Sequence, residues 1–455
     1  MNKVNPEIFK AYDIRGVYNI DFDDEFAYQL GLAFSQLRRE EEAGKDKLKI
    51  VVGFDMRLSS PKLKENLING LLDGGVDVID IGLSSTPTLY FAVAQFNYNG
   101  GINITASHNP KEYNGFKLTR AKAMSLSNNT GIFKLREMII NGQIEKAEAK
   151  GELVKRDDIL VKQVEHDLKF VNTNKLRHFK IVIDPANAMG ALYFDELFKH
   201  LDCQIIKMNW QLDGTFPAHE ADPLKPENIK EICAQVKAEK ADLGIATDGD
   251  GDRIFFVDNA GEAIQPGIIR AILSKIFLKE KPCAKIAYDI RPGRITEETI
   301  RENGGQPIIT PVGHSLIKEI ARKEGAYFAG ESSGHFFLNM KEGIYEVPLI
   351  VTLKILKDLS DLKITMADYI KPYKKYFHSG EINNRVDNKE RVMEKIKEKY
   401  KDGKINLLDG ITIEYPDFWF NVRPSNTEPL LRFALEARTK EIMEEKRDEI
   451  LKLIK

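Results

Sequence analysis

A strand–helix–strand–helix–strand order recurs three times along this chain, and that repetition limits the folds open to it. The first strands begin at Lys49-Ile-Val-Val-Gly-Phe-Asp55, Lys180-Ile-Val-Ile-Asp-Pro185 and Lys285-Ile-Ala-Tyr-Asp289. Second strands follow at Val76-Asp-Val-Ile-Asp-Ile81, Cys203-Gln-Ile-Ile-Lys207 and Gln306-Pro-Ile-Ile-Thr310. Third strands follow at Gly101-Ile-Asn-Ile-Thr105, Leu243-Gly-Ile-Ala-Thr247 and Ala326-Tyr-Phe-Ala329. Strands separated by helices predict α/β units, each with a largely parallel sheet core. Short Val/Ile strands are common, and accidental likeness among α/β units is the competing account. Beyond about Tyr369 the pattern changes to a charged helical stretch, Asn388 to Lys401, and then alternating strands around Phe418-Trp-Phe-Asn-Val422 and Leu430-Leu-Arg-Phe-Ala-Leu435. The expected fold class is therefore α/β: three similar domains at 1–155, 156–258 and 259–369, and a smaller α+β domain at 370–455. A chain of 455 residues is too long for one core in any case.

Ligands of such units gather at the carboxyl ends of strands, and there the chain carries its most telling segment. Asp248-Gly-Asp-Gly-Asp-Arg253 directly follows the third strand of the second unit. The glycines allow a backbone tight enough to bring Asp248, Asp250 and Asp252 toward one point. Three like charges so close repel one another unless a cation neutralises them. An all-oxygen donor set with room for water suits Mg²⁺. A solvated acidic turn is the bland alternative. An EF-hand is excluded, since its sixth position needs glycine and its twelfth glutamate, and here they hold Arg253 and Asn259.

Charge removes other classes. With 67 basic and 69 acidic residues, no global field would draw nucleic acid or an anionic membrane. Lys371-Pro-Tyr-Lys-Lys-Tyr376, among the most basic stretches, is short and reads as a solvated face. Three widely spaced cysteines, Cys203, Cys233 and Cys283, argue against disulfides or zinc and for a reducing compartment. The opening Met1-Asn-Lys-Val-Asn-Pro-Glu lacks a signal peptide's apolar core, and no apolar run nears the ~20 residues that span a bilayer. A cytoplasmic protein without membrane or nucleic-acid partners is expected.

Two further loops occupy the place equivalent to the acidic one. Thr105-Ala-Ser-His-Asn-Pro110 sets Ser107 just past a strand, and Asn114-Gly-Phe-Lys117 follows with a cation. Without a Ser-His-Asp hydrolase elbow, a serine oxygen facing a cation suits phosphoryl transfer better than acyl transfer. His108 could serve there or be a hydrogen-bonded structural histidine. Gly330-Glu-Ser-Ser-Gly-His335 offers the donors and acceptors that vicinal sugar hydroxyls need, although a surface turn explains it equally well. In the last domain, Arg423-Pro-Ser-Asn-Thr-Glu-Pro429 presents a guanidinium and a donor-rich set suited to a phosphate dianion. An ordinary hairpin loop is the alternative there.

Taken together, the four motifs resemble those of the α-D-phosphohexomutase superfamily, in its order and approximate spacing over essentially the whole chain. Phe9-Lys-Ala-Tyr-Asp-Ile-Arg-Gly16 also looks like that family's amino-terminal signature. The resemblance implies four domains around a central cleft, the first three with mixed sheets, and a phosphomannomutase/phosphoglucomutase type of isomerase. Ser107 would be carried as phosphoserine and would hold Mg²⁺ together with Asp248, Asp250 and Asp252. Its phosphoryl group would pass to a hexose 1-phosphate, and the resulting hexose 1,6-bisphosphate would turn around and return its other phosphate. Arg15, His108, Lys117, Arg253 and His335 would stabilise transferring charge or assist proton movement. Glu331 and Ser333 would hold sugar hydroxyls, with Arg291 and His314 also binding substrate. Arg423, Ser425, Asn426 and Thr427 would clamp the distal phosphate.

The chain departs from the pattern at two places. Where glucose/mannose-type members carry a lysine after the first strand of domain three, Arg291 stands here, which fits a phosphate contact better than proton transfer. In the last loop Asn426 looks like the glucose/mannose group, whereas Pro424 and Glu428 look like glucosamine-type members. Phosphoglucosamine mutase is thus the near alternative. A Mg²⁺-dependent sugar phosphatase would not need a second phosphate clamp, and a sugar-phosphate sensor would not need the nucleophile.

Overall fold

The computed structural model describes residues 4–45, 47–291, 293–424 and 430–454. The chain forms two compact units, one of Met1–Ile264 with Ser333–Ala367 and the other of Gln265–Ser332 with Asp368–Lys455. Among the described residues no helix is long and apolar enough to cross a membrane.

The repeated strand order becomes a repeated sheet. In the first unit, Lys49–Phe54 runs parallel to Asp77–Leu83 on one side and to Gly100–Ile104 on the other. Phe179–Asp184 lies in the same way between Cys203–Lys207 and Leu243–Thr247. In the second unit, Lys285–Asp289 lies between Gln306–Thr310 and Phe328–Gly330. Each first strand is thus central, and the chain crosses from one of its flanks to the other before the third strand. That crossing is a topological switch point, where strand ends diverge and leave a crevice. The expected α/β class is borne out, and the sheets of the first unit are mixed. Tyr113–Arg120 pairs antiparallel with Gly100–Ile104 and then with Ile14–Val17, and Ile254–Asp258 pairs antiparallel with Leu243–Thr247.

Central strands such as Gly100–Ile104 and Leu243–Thr247 are buried at every residue, as sheets covered on both faces require. On one face the helices Asp24–Glu41 and Ser60–Asp73 pack against each other. Their contact is close enough that a Cβ on Gly70 would meet the carbonyl oxygen of Tyr28 at 2.0 Å. The second unit also holds an antiparallel sheet in the order Phe377–Arg385, Leu430–Ala437, Phe418–Pro424, Ile411–Glu414, Lys404–Asn406. Its charged helix is Lys389–Lys399, capped by the Asn388 side chain, which accepts a hydrogen bond from the Arg391 N–H.

Candidate active site

In the first unit two loops meet at the carboxyl ends of two third strands. Strand Gly100–Ile104 delivers the chain to Ser107, whose φ of +49° lies in the left-handed region. A non-glycine residue there costs roughly 1–3 kcal/mol unless its surroundings hold it. Here they do. The Ser107 N–H donates to Thr105 Oγ1 at 2.9 Å. The buried Arg57 guanidinium then gathers four carbonyls of the same loop: Ser107 and Asn109 from Nη2 (2.8 and 2.6 Å), Pro110 and Tyr113 from Nη1 (2.7 and 2.9 Å). From the opposite side the acidic loop presses directly on the serine, because a Cβ on Gly249 would lie 2.3 Å from the Ser107 carbonyl oxygen. Glycine is required there for close approach.

Ser107 Oγ donates to Asp248 Oδ2 at 2.6 Å and lies 3.3 Å from His108 Nδ1. The three aspartates are buried, and one oxygen of each falls within 4.8 Å of the others. Burial, with the charges of Asp250 and Asp252, pushes the Asp248 carboxyl up to about 8. Burial also opposes ionisation of Asp252, but Lys117 and His335 outweigh it and hold that carboxyl well below the usual range.

Lys117 reaches the cluster from strand Tyr113–Arg120, donating to Asp250 Oδ2 at 2.6 Å and to Asp252 Oδ2. Burial would discharge this lysine, yet Asp250 and Asp252 raise its pKa well above the ordinary value. Arg15 spans Asn109 Oδ1 (2.7 Å) and Asp13 Oδ2 (2.7 Å). Arg253 lies 3.8 Å from Asp248 Oδ2 and 3.6 Å from Asp222 Oδ1, and its N–H donates to Asp248 Oδ1 at 3.1 Å. His335 Nε2 stands 3.2 Å from Asp252 Oδ1, with Nδ1 2.9 Å from Ser333 Oγ. His108 is driven well below its usual pKa by burial and then by Arg253, Arg15 and Lys117, so its imidazole is neutral at pH 7.

This donor set can hold a hard divalent cation. All its ligands are oxygens, and the buried Asp250 Oδ1 has no hydrogen-bond partner among the described residues. Three carboxylates, when ionised, stand against Lys117, Arg15 and Arg253. Asp13 and Asp222 offset Arg15 and Arg253 in turn, so a divalent cation would neutralise the remaining carboxylate charge and let a phosphate dianion approach.

The second unit gathers a separate set. Arg291, just beyond strand Lys285–Asp289, pairs with Asp289 and lies 3.7 Å from Glu331 Oε1. Burial opposes its charge, but Asp289, Glu331 and Glu381 raise its pKa further, so it stays a cation. Glu331 Oε1 accepts from the Gly313 N–H at 2.9 Å, beside His314 at the start of helix His314–Glu324. Arg423, on strand Phe418–Pro424, pairs with Glu381, which also faces Arg432 at 3.4 Å. Ser425, Asn426 and Thr427 lie outside the described residues. Of the Gly330–His335 segment, Glu331 belongs to the second unit and Ser333 and His335 to the first.

Sequence reasoning did not single out Arg57, Thr86 or Glu381. Arg57 had a signal, in that Asp55-Met-Arg57 leaves a central strand at the switch point, where Arg291 leaves its own. Thr86 had one too, as part of the helix-opening Ser85-Thr86-Pro87. Glu381 had none, because it lies on a strand 42 residues from Arg423.

Known proteins resemble this chain over its whole length. Family models described as phosphoglucomutase/phosphomannomutase match in four segments: alpha/beta/alpha domain I at residues 6–143, domain II at 159–261, domain III at 266–376 and the C-terminal domain at 381–453. The chain is 42% identical over 451 residues to a phosphomannomutase of Methanocaldococcus jannaschii, covering 98% of this chain and 97% of that one. It is 36% identical to a phosphomannomutase/phosphoglucomutase of Pseudomonas aeruginosa, covering 96% and 93% respectively. A crystal structure of a phosphoglucomutase/phosphomannomutase family protein from Burkholderia thailandensis superposes with a TM-score of 0.89 at 31% identity, over 99% of this chain and 97% of the other. With whole-length similarity at these levels and all four domain models in order, the chain belongs to the phosphoglucomutase/phosphomannomutase family of α-D-phosphohexomutases and is an isomerase of that class.

Proposed function

We propose that the chain interconverts hexose 1-phosphate and hexose 6-phosphate, of mannose, glucose or both, through a phosphoserine at Ser107 and a hexose 1,6-bisphosphate. The observation that carries this reading is the Ser107 hydroxyl, hydrogen-bonded to Asp248 within a buried triad of carboxylates. A binding protein has no use for a strained nucleophile at that point. The sugars are suggested by relatives named phosphomannomutase and phosphomannomutase/phosphoglucomutase.

In the forward half-reaction the bond from phosphorus to Ser107 Oγ breaks as a sugar hydroxyl bonds to the same phosphorus. The hydroxyl proton ends on Ser107 Oγ, which then donates to Asp248. The reverse half-reaction sends that proton to the departing sugar oxygen as Ser107 takes the other phosphoryl group. Mg²⁺ held by Asp248, Asp250, Asp252 and the phosphoserine oxygens would supply charge neutralisation at the transferring group. Lys117, Arg15 and Arg253 provide fixed positive charge in a buried site, where such groups act most strongly. No single residue is assigned as general base. His108 is neutral and close to Ser107 Oγ, and His335 is tied to Asp252.

Recognition of sugar hydroxyls is assigned to Glu331 in the second unit, with Arg291 and His314 beside it, and to Ser333 in the first. Arg423, Ser425, Asn426 and Thr427 are assigned to the distal phosphate. ³¹P NMR with Mg²⁺, a trace of hexose 1,6-bisphosphate and mannose, glucose or glucosamine 1-phosphate in separate tubes tests the reading. Appearance of a 6-phosphate signal with mannose or glucose supports it. Conversion of glucosamine 1-phosphate alone would reassign the substrate, and release of inorganic phosphate alone would make the protein a phosphatase.

A further inference from the structure

We propose that Thr86 is a positioning residue for the cation site: its hydroxyl, fixed by Asn103, holds one oxygen of Asp250 and leaves the other turned to the cation. The inference rests on the reading that the aspartate triad takes a divalent cation. Thr86 is fully buried as the first residue of helix Thr86–Gln95, whose N-cap is Ser85. It grips the acidic loop at two points, 164 residues away in sequence. Its N–H donates to the Asp250 carbonyl at 3.0 Å, and its Oγ1 donates to Asp250 Oδ2 at 2.5 Å.

The direction of that second bond is fixed by its partners. The Asn103 amide nitrogen only donates, so Thr86 Oγ1 accepts from it at 2.8 Å and the hydroxyl hydrogen points to Asp250. Asn103 sits on strand Gly100–Ile104 directly opposite Lys117, and Lys117 supplies the other donor to Asp250 Oδ2 at 2.6 Å. One carboxylate oxygen therefore receives two strong donors. The other, Oδ1, is buried and receives none among the described residues. A buried acceptor left open in this way, beside two more carboxylates, is a place for a cation. Without the Thr86 hydroxyl, Asp250 could rotate to share both oxygens with Lys117, and the open ligand position would be lost. The helix cap does not depend on this hydroxyl, because Ser85 Oγ accepts from the Thr88 N–H.

The test uses Mn²⁺ as the probe, with binding to the full-length protein read by electron paramagnetic resonance of the free ion. Thr86→Val keeps the shape and removes the hydroxyl, Thr86→Ser restores it, and Asp250→Asn disables the ligand itself. Loss of a group that orients a metal ligand typically weakens binding 10–100-fold. Thr86→Val is expected to raise the Mn²⁺ dissociation constant at least about tenfold, read on protein that remains folded in chelator. Thr86→Ser is expected to bind like wild type, and the activity lost by Thr86→Val at low Mg²⁺ should return at saturating Mg²⁺. Should Thr86→Val not fold, Asn103→Ala carries the test with the same sign, since it removes the hydroxyl's anchor. Wild-type affinity in Thr86→Val, with binding lost in Asp250→Asn, overturns the role of Thr86 alone. Equal binding by wild type and Asp250→Asn, or no binding by wild type, overturns the cation site and this inference with it.

Discussion

Replacing Arg57 by lysine tests how the nucleophile loop is held. Arg57 contacts neither cation nor sugar in this account, yet its guanidinium binds the carbonyls of Ser107, Asn109, Pro110 and Tyr113, all within 2.9 Å. Lysine would keep a positive charge near Asp55, whose carboxylate lies 3.3 Å from Arg57 Nε. It offers three donors from a single nitrogen, however, and one nitrogen cannot sit between both carbonyl pairs. Two of the four carbonyls, among which the bond to Ser107 is the buried one, would lose their donors, at up to about 1–3 kcal/mol each. A loop that already holds Ser107 at positive φ is expected to shift rather than bear that cost. Displacing a reacting atom by about 1 Å lowers the rate about 10²-fold. The expected result for Arg57→Lys is a fall in kcat of roughly 100-fold with little change in KM and a melting temperature a few degrees lower. Coupled assays on mannose and glucose 1-phosphates, with calorimetry alongside, measure both. Activity within about twofold of wild type at an unchanged melting temperature would refute the reasoning.

Gly249→Ala is expected to abolish turnover, because its Cβ would lie 2.3 Å from the Ser107 carbonyl; full activity would contradict the close approach of the two loops. Glu381→Gln should weaken the hold on Arg423 and raise KM for hexose phosphates several-fold while kcat changes less, as steady-state kinetics would show. Burial holds the pKa of His378 below its usual value, although Glu436 opposes the shift. The unfolded chain thus binds a proton that the folded chain resists, and stability is lost as pH falls below about 6.5. His378→Gln removes that part of the acid sensitivity. Urea midpoints should therefore show the stability gap between wild type and variant narrowing from about pH 7.5 to pH 5.5, and a constant gap would refute it.

Much of the fold could be read from the sequence because strand periodicity and helix spacing are local properties. The three strand trios form where the short apolar runs stand, although boundaries move by a residue or two; Asp77–Leu83, for example, extends beyond the run ending at Ile81. Ser107 and the three aspartates were visible for a related reason. Their chemistry is concentrated in a few consecutive residues at strand ends, and the sequence places those ends equivalently. The contacts that support the site were not visible. Arg57 acts on a loop about 50 residues onward, and Thr86 on Asp250 across 164. The Arg57 contact depends on how the strands of one trio are ordered, and the Thr86 contact on how one trio docks on the next; neither leaves a period in the chain. The division of Glu331 and Ser333 between two compact units, two positions apart in one motif, was equally hidden.

The most direct test of the central claim is peptide mass spectrometry of the protein after brief exposure to hexose 1,6-bisphosphate and Mg²⁺, alongside Ser107→Ala. The account predicts one phosphoryl group on Ser107 in the wild type, removed by hexose 1-phosphate, with neither label nor mutase turnover in the variant. Turnover by Ser107→Ala, or turnover by a wild type that never carries phosphate on Ser107, would contradict it.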